Sequence, residues 1–306
     1  MSRFGVLMAS IVLGFASALT GPVVAAPGPG GQCANDTLRP GRHLRSMTWE
    51  GVDRWYEISV PSTGVGSDSL PVVFNLHPFV LGGNPLFRAV WRHESGLAPL
   101  GSSEGFIVVQ PDGSGSPTAW NGGDACCGEP SANDVDDVGF IRALLDEVAA
   151  ETCVDRKRVY ATGMSNGGYL SHRLACEASD FIAAIAPVVG SFSSELSCDL
   201  TRPVPVLQIS GSEDSLQSRE ASVARWVELN GCVDAPVVTY SEGTATCETW
   251  SRCEGGVVVE HCVVEGGGHC WFSDINPQAS PGCSATDDLI SQEAAWDFFR
   301  QWSLPE

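Results

Sequence analysis

One junction constrains the fold more than any other feature of the chain. A short β-rich run, RVYATGM, ends in Gly163-Met164-Ser165-Asn166-Gly167, and a helical pattern follows at once, from Gly167 to Cys176. This is the G-x-S-x-G spacing in its strand-turn-helix setting, where a sharp, strained turn lifts a serine hydroxyl clear of the backbone. Glycine is needed beside the serine because a side chain there would collide with neighbouring backbone.

The rest of the sequence fits such a junction. RWYEISV, PVVFNL and GFIVVQ are short, β-rich and bounded by Gly, Pro or Asp, so they read as strands. VGFIRALLDEVAAE places Val138, Ile141, Leu144, Leu145 and Val148 on one helical face, and Asp134, Asp136 and Asp137 precede it as N-terminal capping charge rather than calcium ligands. The buried run FIAAIAPVV, the strand PVPVLQI, a helix around Ala221 to Leu229 and a closing helix in LISQEAAWDFFRQW complete the alternation. The expected class is therefore α/β, a mainly parallel sheet covered by helices on both faces.

Residues 1–26 read as a signal peptide: Arg3, an apolar run, then small residues with cleavage near Ala25 or Ala26. The run is shorter than the roughly 20 residues a spanning helix needs. Residues 27–41 form a Pro/Gly-rich leader tethered by Cys33, and residues 42–306 form a single catalytic domain with no repeat or linker. The net charge of −20, from 37 acidic and 17 basic residues, repels nucleic acid and anionic membranes. A soluble extracellular monomer is expected.

Twelve cysteines in an exported chain point to disulfides. TATCETWSRC and VVVEHCVV flank the turn-prone EGG as a β-hairpin, which sets Cys247 opposite Cys262 and predicts a disulfide between them. His261 with Cys262 and His269 with Cys270 look like metal-ligand pairs, but neither has the C-x-x-C spacing of a zinc site, so no metal is expected.

A serine hydroxyl is a weak nucleophile and needs a histidine base oriented by an acid. Of six histidines, His43, His77, His93, His172 and His261 read as surface, packing or support. His269 follows Gly266-Gly267-Gly268 in a loop after the last strand, where it can reach the carboxyl edge of a parallel sheet. PVPVLQI ends in Gly211-Ser212-Glu213-Asp214, which offers Asp214 as the acid, with Glu213 and Asp274 as alternatives. The oxyanion needs two amide donors: Asn166, the residue after the nucleophile, and one from the loop that begins His77-Pro78-Phe79. Pro78 has no N–H, so that donor is Phe79. Chemistry of this kind requires no cofactor.

RWYEISVP, the LHP-x-x-x-GG loop, GFIVVQPDG, the WNGG-x-x-CCG segment, VDDVGFI, RVYATGMSNGG, WVELNGC, GSED and GGGHCW together resemble the secreted feruloyl esterase and polyhydroxybutyrate depolymerase-like esterases of the α/β-hydrolase superfamily. The resemblance runs from about Gly41 to the C-terminus. It implies Ser165 as nucleophile, Asp214 as acid and His269 as base, with Trp120 and Trp271 flanking the substrate. It also implies disulfides Cys176–Cys198 and Cys232–Cys253, and separate partners for Cys126 and Cys127. Two departures stand out: His77-Pro78 where many relatives have His-Gly, and Cys270 and Phe272 around Trp271, the cysteine suggesting a disulfide that ties down the histidine loop.

The implied function is a secreted serine carboxylic-ester hydrolase acting on polymer-borne esters, feruloyl esters of plant cell-wall polysaccharide ahead of polyhydroxyalkanoate. An acyltransferase on the same triad and a non-catalytic secreted binding protein are the rival readings.

Overall fold

The computed structural model describes residues 37–62, 69–79, 91–123, 126–216, 218–274, 283 and 286–306. These belong to the unit Gln32–Glu306; the expected signal peptide and Cys33 lie outside them. The strands are β1 Gly41–Trp49, β2 Val52–Val60, β3 Leu70–Leu76, β4 Ile107–Pro111, β5 Val154–Met164, β6 Ala184–Val188, β7 Val206–Gly211, β8 Val237–Glu242, β9 Ala245–Trp250 and β10 Val259–Val264. The helices are α1 Leu97–Glu104, α2 Gly128–Ala132, α3 Asp137–Glu151, α4 Asn166–Glu177, α5 Arg219–Leu229 and α6 Ser291–Phe299.

Among the described residues the strands form one sheet in the order β1-β2-β4-β3-β5-β6-β7-β10-β9-β8. From β4 to β10 every pairing is parallel, and antiparallel strands extend both edges. The fold is that of an α/β-hydrolase. Successive side chains on a strand face opposite sides, and that rule divides the core in two. Val72, Phe74, Val159 and Ala161 pack with Leu144 of α3, Leu170 of α4 and Trp226 of α5. Val73, Val108, Tyr160 and Leu207 pack on the other side with Leu97 of α1 and Phe299 of α6. Strands buried on both faces read as continuous apolar runs, which is why β3 to β7 were visible in the sequence.

The hairpin register also agrees with expectation: Cys262 of β10 lies opposite Cys247 of β9, and the two are bonded. Cys176–Cys198, Cys232–Cys253 and Cys270–Cys283 are disulfides as well, and Cys153 is disulfide-bonded. Disulfides in this number point to folding in an oxidising compartment.

Three expectations need correcting. Cys126 and Cys127 bond to each other rather than to separate partners, since the other described cysteines are already engaged. The leader does not extend to Gly41: the Thr37 and Leu38 amides both donate to the Glu151 carbonyl, Leu38 is buried, and β1 begins at Gly41. Of the aspartates before α3, Asp136 caps the helix by accepting from the Gly139 amide at 2.7 Å, whereas Asp137 is buried and binds Arg54 at 2.8 Å. Among the described residues, no helix is long and apolar enough to cross a membrane.

Candidate active site

The serine turn is built by close backbone packing. Ser165 has φ 53° and ψ −117°, a conformation that non-glycine residues rarely adopt. Its amide donates to the Val188 carbonyl of β6 at 2.9 Å, and α4 starts at the next residue. A Cβ on Gly163 would stand 2.5 Å from the Leu76 carbonyl oxygen, and one on Gly167 would stand 2.1 Å from the same atom. Both glycines of the motif are therefore spacers that let β5 and α4 close onto the end of β3.

Asp214 leaves the carboxyl end of β7 and His269 follows β10, the strand beside it. The two loops are pressed together: the Glu213 amide donates to the Gly267 carbonyl at 2.9 Å, and the Gly266 amide donates to Ser212 Oγ at 2.8 Å. His269 Nδ1 meets Asp214 Oδ2 at 2.7 Å, with the carboxylate wholly buried and the ring partly exposed. With the Nδ1 proton donated to the carboxylate, Nε2 is left as a base. Glu213 and Asp274, the alternatives for the acid, are exposed.

Because β5, β6, β7 and β10 are consecutive in the sheet, Ser165, Asp214 and His269 all emerge at one edge, and Ser165 is half-buried there. Among the described residues no hydrogen bond joins the Ser165 hydroxyl to the ring; catalytic hydrogen bonds often tighten only when substrate is bound.

The two expected oxyanion donors are braced by different means. Asn166 opens α4, where the first amides have no partner within the helix. Its buried side chain accepts from the Trp120 amide at 2.7 Å and donates to the Trp120 carbonyl at 3.0 Å. Phe79, half-buried, follows Pro78, whose carbonyl accepts from His77 Nδ1 at 2.7 Å. His77 Nε2 accepts the Gly113 amide proton at 2.8 Å, so the ring is neutral with its proton on Nδ1.

Comparison with known proteins agrees with this architecture. Residues 92–215, which hold Ser165 and Asp214, match the prolyl oligopeptidase family (Peptidase_S9). Feruloyl esterase B of Piromyces equi is 30% identical over 272 residues, covering 81% of this chain and 45% of that protein. Feruloyl esterase D of Neurospora crassa is 28% identical over 299 residues, covering 92% and 93% respectively. The acetyl xylan esterase from Aspergillus awamori superimposes with a TM-score of 0.58 at 17% identity, over 74% of this chain and 94% of that one. This chain has an α/β-hydrolase fold and is similar to feruloyl esterases. It spans under half the length of Feruloyl esterase B and 34% of the bifunctional acetylxylan esterase/xylanase XynS20E of Neocallimastix patriciarum.

The two tryptophans expected to flank the substrate, Trp120 and Trp271, both lie inside the core. Trp120 is fully buried; its indole N–H donates to the His77 carbonyl at 3.0 Å, and its ring lies 4.9 Å from the imidazole. Trp271 is 2% exposed, donates to the Ser95 carbonyl and Gln292 at 3.2 Å, and meets Trp91 edge-on. An indole whose polar edge has a partner inside the core is held for packing.

Sequence reasoning missed a buried brace close to the loop of His77. Arg54 of β2 donates to the Asp112 carbonyl at 3.1 Å and to Asp137 at 2.8 Å, and Asp137 accepts the Asn121 amide at 2.7 Å. No local pattern signals it, since its members come from four separate segments.

Proposed function

We propose that the chain is a secreted serine carboxylesterase that hydrolyses feruloyl-type esters carried on plant cell-wall polysaccharide. The observation that carries the reading is the 2.7 Å bond from His269 to buried Asp214, at the sheet edge where the strained Ser165 turn stands. The ester-hydrolase class rests on the feruloyl esterase relatives and on the fold. Their names supply the acyl group.

Ser165 Oγ attacks the ester carbonyl while His269 Nε2 takes its proton, and Asp214 stabilises the imidazolium so formed. The tetrahedral oxyanion is held by the Asn166 and Phe79 amides. His269 returns the proton to the departing alcohol, leaving an acyl-serine, and then activates a water that releases the acid. The enzyme works as a monomer outside the cell after cleavage near Ala25 or Ala26.

Hydrolysis of methyl ferulate, p-nitrophenyl butyrate and a polyhydroxybutyrate suspension by the wild type and Ser165→Ala tests this. Ferulate is expected to be cleaved by the wild type alone. Preference for the polyester would overturn the substrate class, and failure of a fluorophosphonate to label Ser165 would overturn the esterase reading.

A further inference from the structure

The vicinal pair Cys126–Cys127 has no part in the mechanism above, yet it occupies the ground between the two residues expected to bind the oxyanion. On one side, Cys126 Sγ lies 3.8 Å from Asn166 Nδ2. On the other, Gly128 packs against the Phe79 ring so closely that a Cβ on it would stand 3.1 Å from Cε2. The pair itself is half-buried, neither sealed in the core nor on open surface.

The segment bearing it is firmly seated. The Cys126 amide donates to the Gly123 carbonyl, and the Gly122 amide donates back to the Cys126 carbonyl, both at 3.2 Å. A Cβ on Gly122 would stand 2.5 Å from Tyr169 Cβ, so this loop rests on the first turn of α4. Tyr169 is half-buried, and its amide donates to the Ser165 carbonyl at 2.9 Å, one helical turn beyond the nucleophile.

Cys176–Cys198, Cys232–Cys253, Cys247–Cys262 and Cys270–Cys283 join residues 13 to 22 positions apart in the chain. A bond between sequence neighbours closes almost no loop and so restrains the unfolded chain very little. What it does supply is two polarizable, uncharged sulfurs without a strong hydrogen-bond donor, a surface that packs well against an aromatic ring.

We propose that the Cys126–Cys127 pair, with the Phe79 ring and Tyr169, forms the wall on which a flat aromatic acyl group lies during turnover. The inference rests on the esterase reading and deepens it: these residues set preference for aromatic over small aliphatic acyl groups.

The test compares the wild type with the double variant C126S/C127S and with Tyr169→Ala, which leaves the sulfur pair in place. For each, kcat/KM is measured on methyl ferulate and on p-nitrophenyl acetate, beside fluorophosphonate labelling of Ser165. The ferulate-to-acetate ratio is expected to fall about tenfold in both variants, chiefly through a higher KM for ferulate. An unchanged ratio in Tyr169→Ala, or in a labelled double variant, overturns the proposal. If the double variant fails to fold, the ratio in Tyr169→Ala decides alone. A wild type that the fluorophosphonate does not label overturns the esterase reading, and the acyl wall with it.

Discussion

Gly113 donates its amide proton to His77 Nε2 at 2.8 Å, and that bond fixes which nitrogen of His77 is free to hold the Pro78 carbonyl. A planar peptide turns as one unit, so anchoring the Pro78 carbonyl also aims the Phe79 amide. His77→Phe keeps a ring in the space and removes both bonds. It is expected to lower kcat by roughly 10–100-fold with little change in KM, as for partial loss of one oxyanion donor. Steady-state kinetics on a soluble ester decides it, and an unchanged kcat would show that the loop holds its shape without the ring.

Asp214→Asn should preserve the shape of the site while offering His269 Nδ1 a hydrogen-bond donor or a poorer acceptor. The ring would then favour the wrong tautomer, and kcat is expected to drop about 10³–10⁴-fold. Glu213→Gln, on the exposed neighbour, is expected to stay within about twofold of the wild type, since surface substitutions away from such features change little. The reverse pattern would reassign the acid.

Acid sensitivity is built into α4, the helix that follows Ser165. Trp226 Nε1 donates to His172 Nδ1 at 2.9 Å, and burial lowers the His172 pKa from 6.5 to about 4. Between those values the unfolded chain binds a proton that the folded chain refuses, so stability rises with pH across that window and is lost as pH falls through it. The loss is on the order of 3 kcal/mol by pH 4. Burial likewise lowers His261 to about 4. Melting temperature is expected to fall from pH 7 to pH 4.5, and less steeply in His172→Gln, whose amide does not titrate. Parallel curves for the two proteins would rule out His172 as the source.

Gly190 tests the packing of the serine turn. A Cβ there would stand 2.6 Å from Gly168 Cα and 2.8 Å from the Ser165 carbonyl oxygen. Gly190→Ala is expected to cost about 1–3 kcal/mol in denaturant unfolding through overpacking, and to lower kcat by displacing Ser165. A variant as stable and active as the wild type would show that α4 can shift away from β6 freely.

The parts of this molecule legible in the sequence were those whose residues lie close together in the chain. Strands buried on both faces announced themselves as apolar runs, and the serine turn by its glycines. The hairpin announced itself by symmetry about EGG, which placed Cys247 opposite Cys262 correctly. The edge strands β1 and β8 did not. β8 is exposed along its whole length and β1 alternates exposed with half-buried residues, so neither carries the apolar run that marks a central strand. The supports of the site were equally silent. Asp137 resembled a capping residue because its partner, Arg54, lies far away in the sequence, and the contact of Trp120 with His77 is likewise made only in the folded chain.

The Cys270–Cys283 bond has a consequence for how His269 is held. Cys283 Sγ lies 3.6 Å from the His269 carbonyl oxygen, so the chain comes back to His269 before it continues to α6. The bond ties the backbone down directly after His269, so the position of the imidazole is set by a covalent anchor as well as by its hydrogen bond to Asp214.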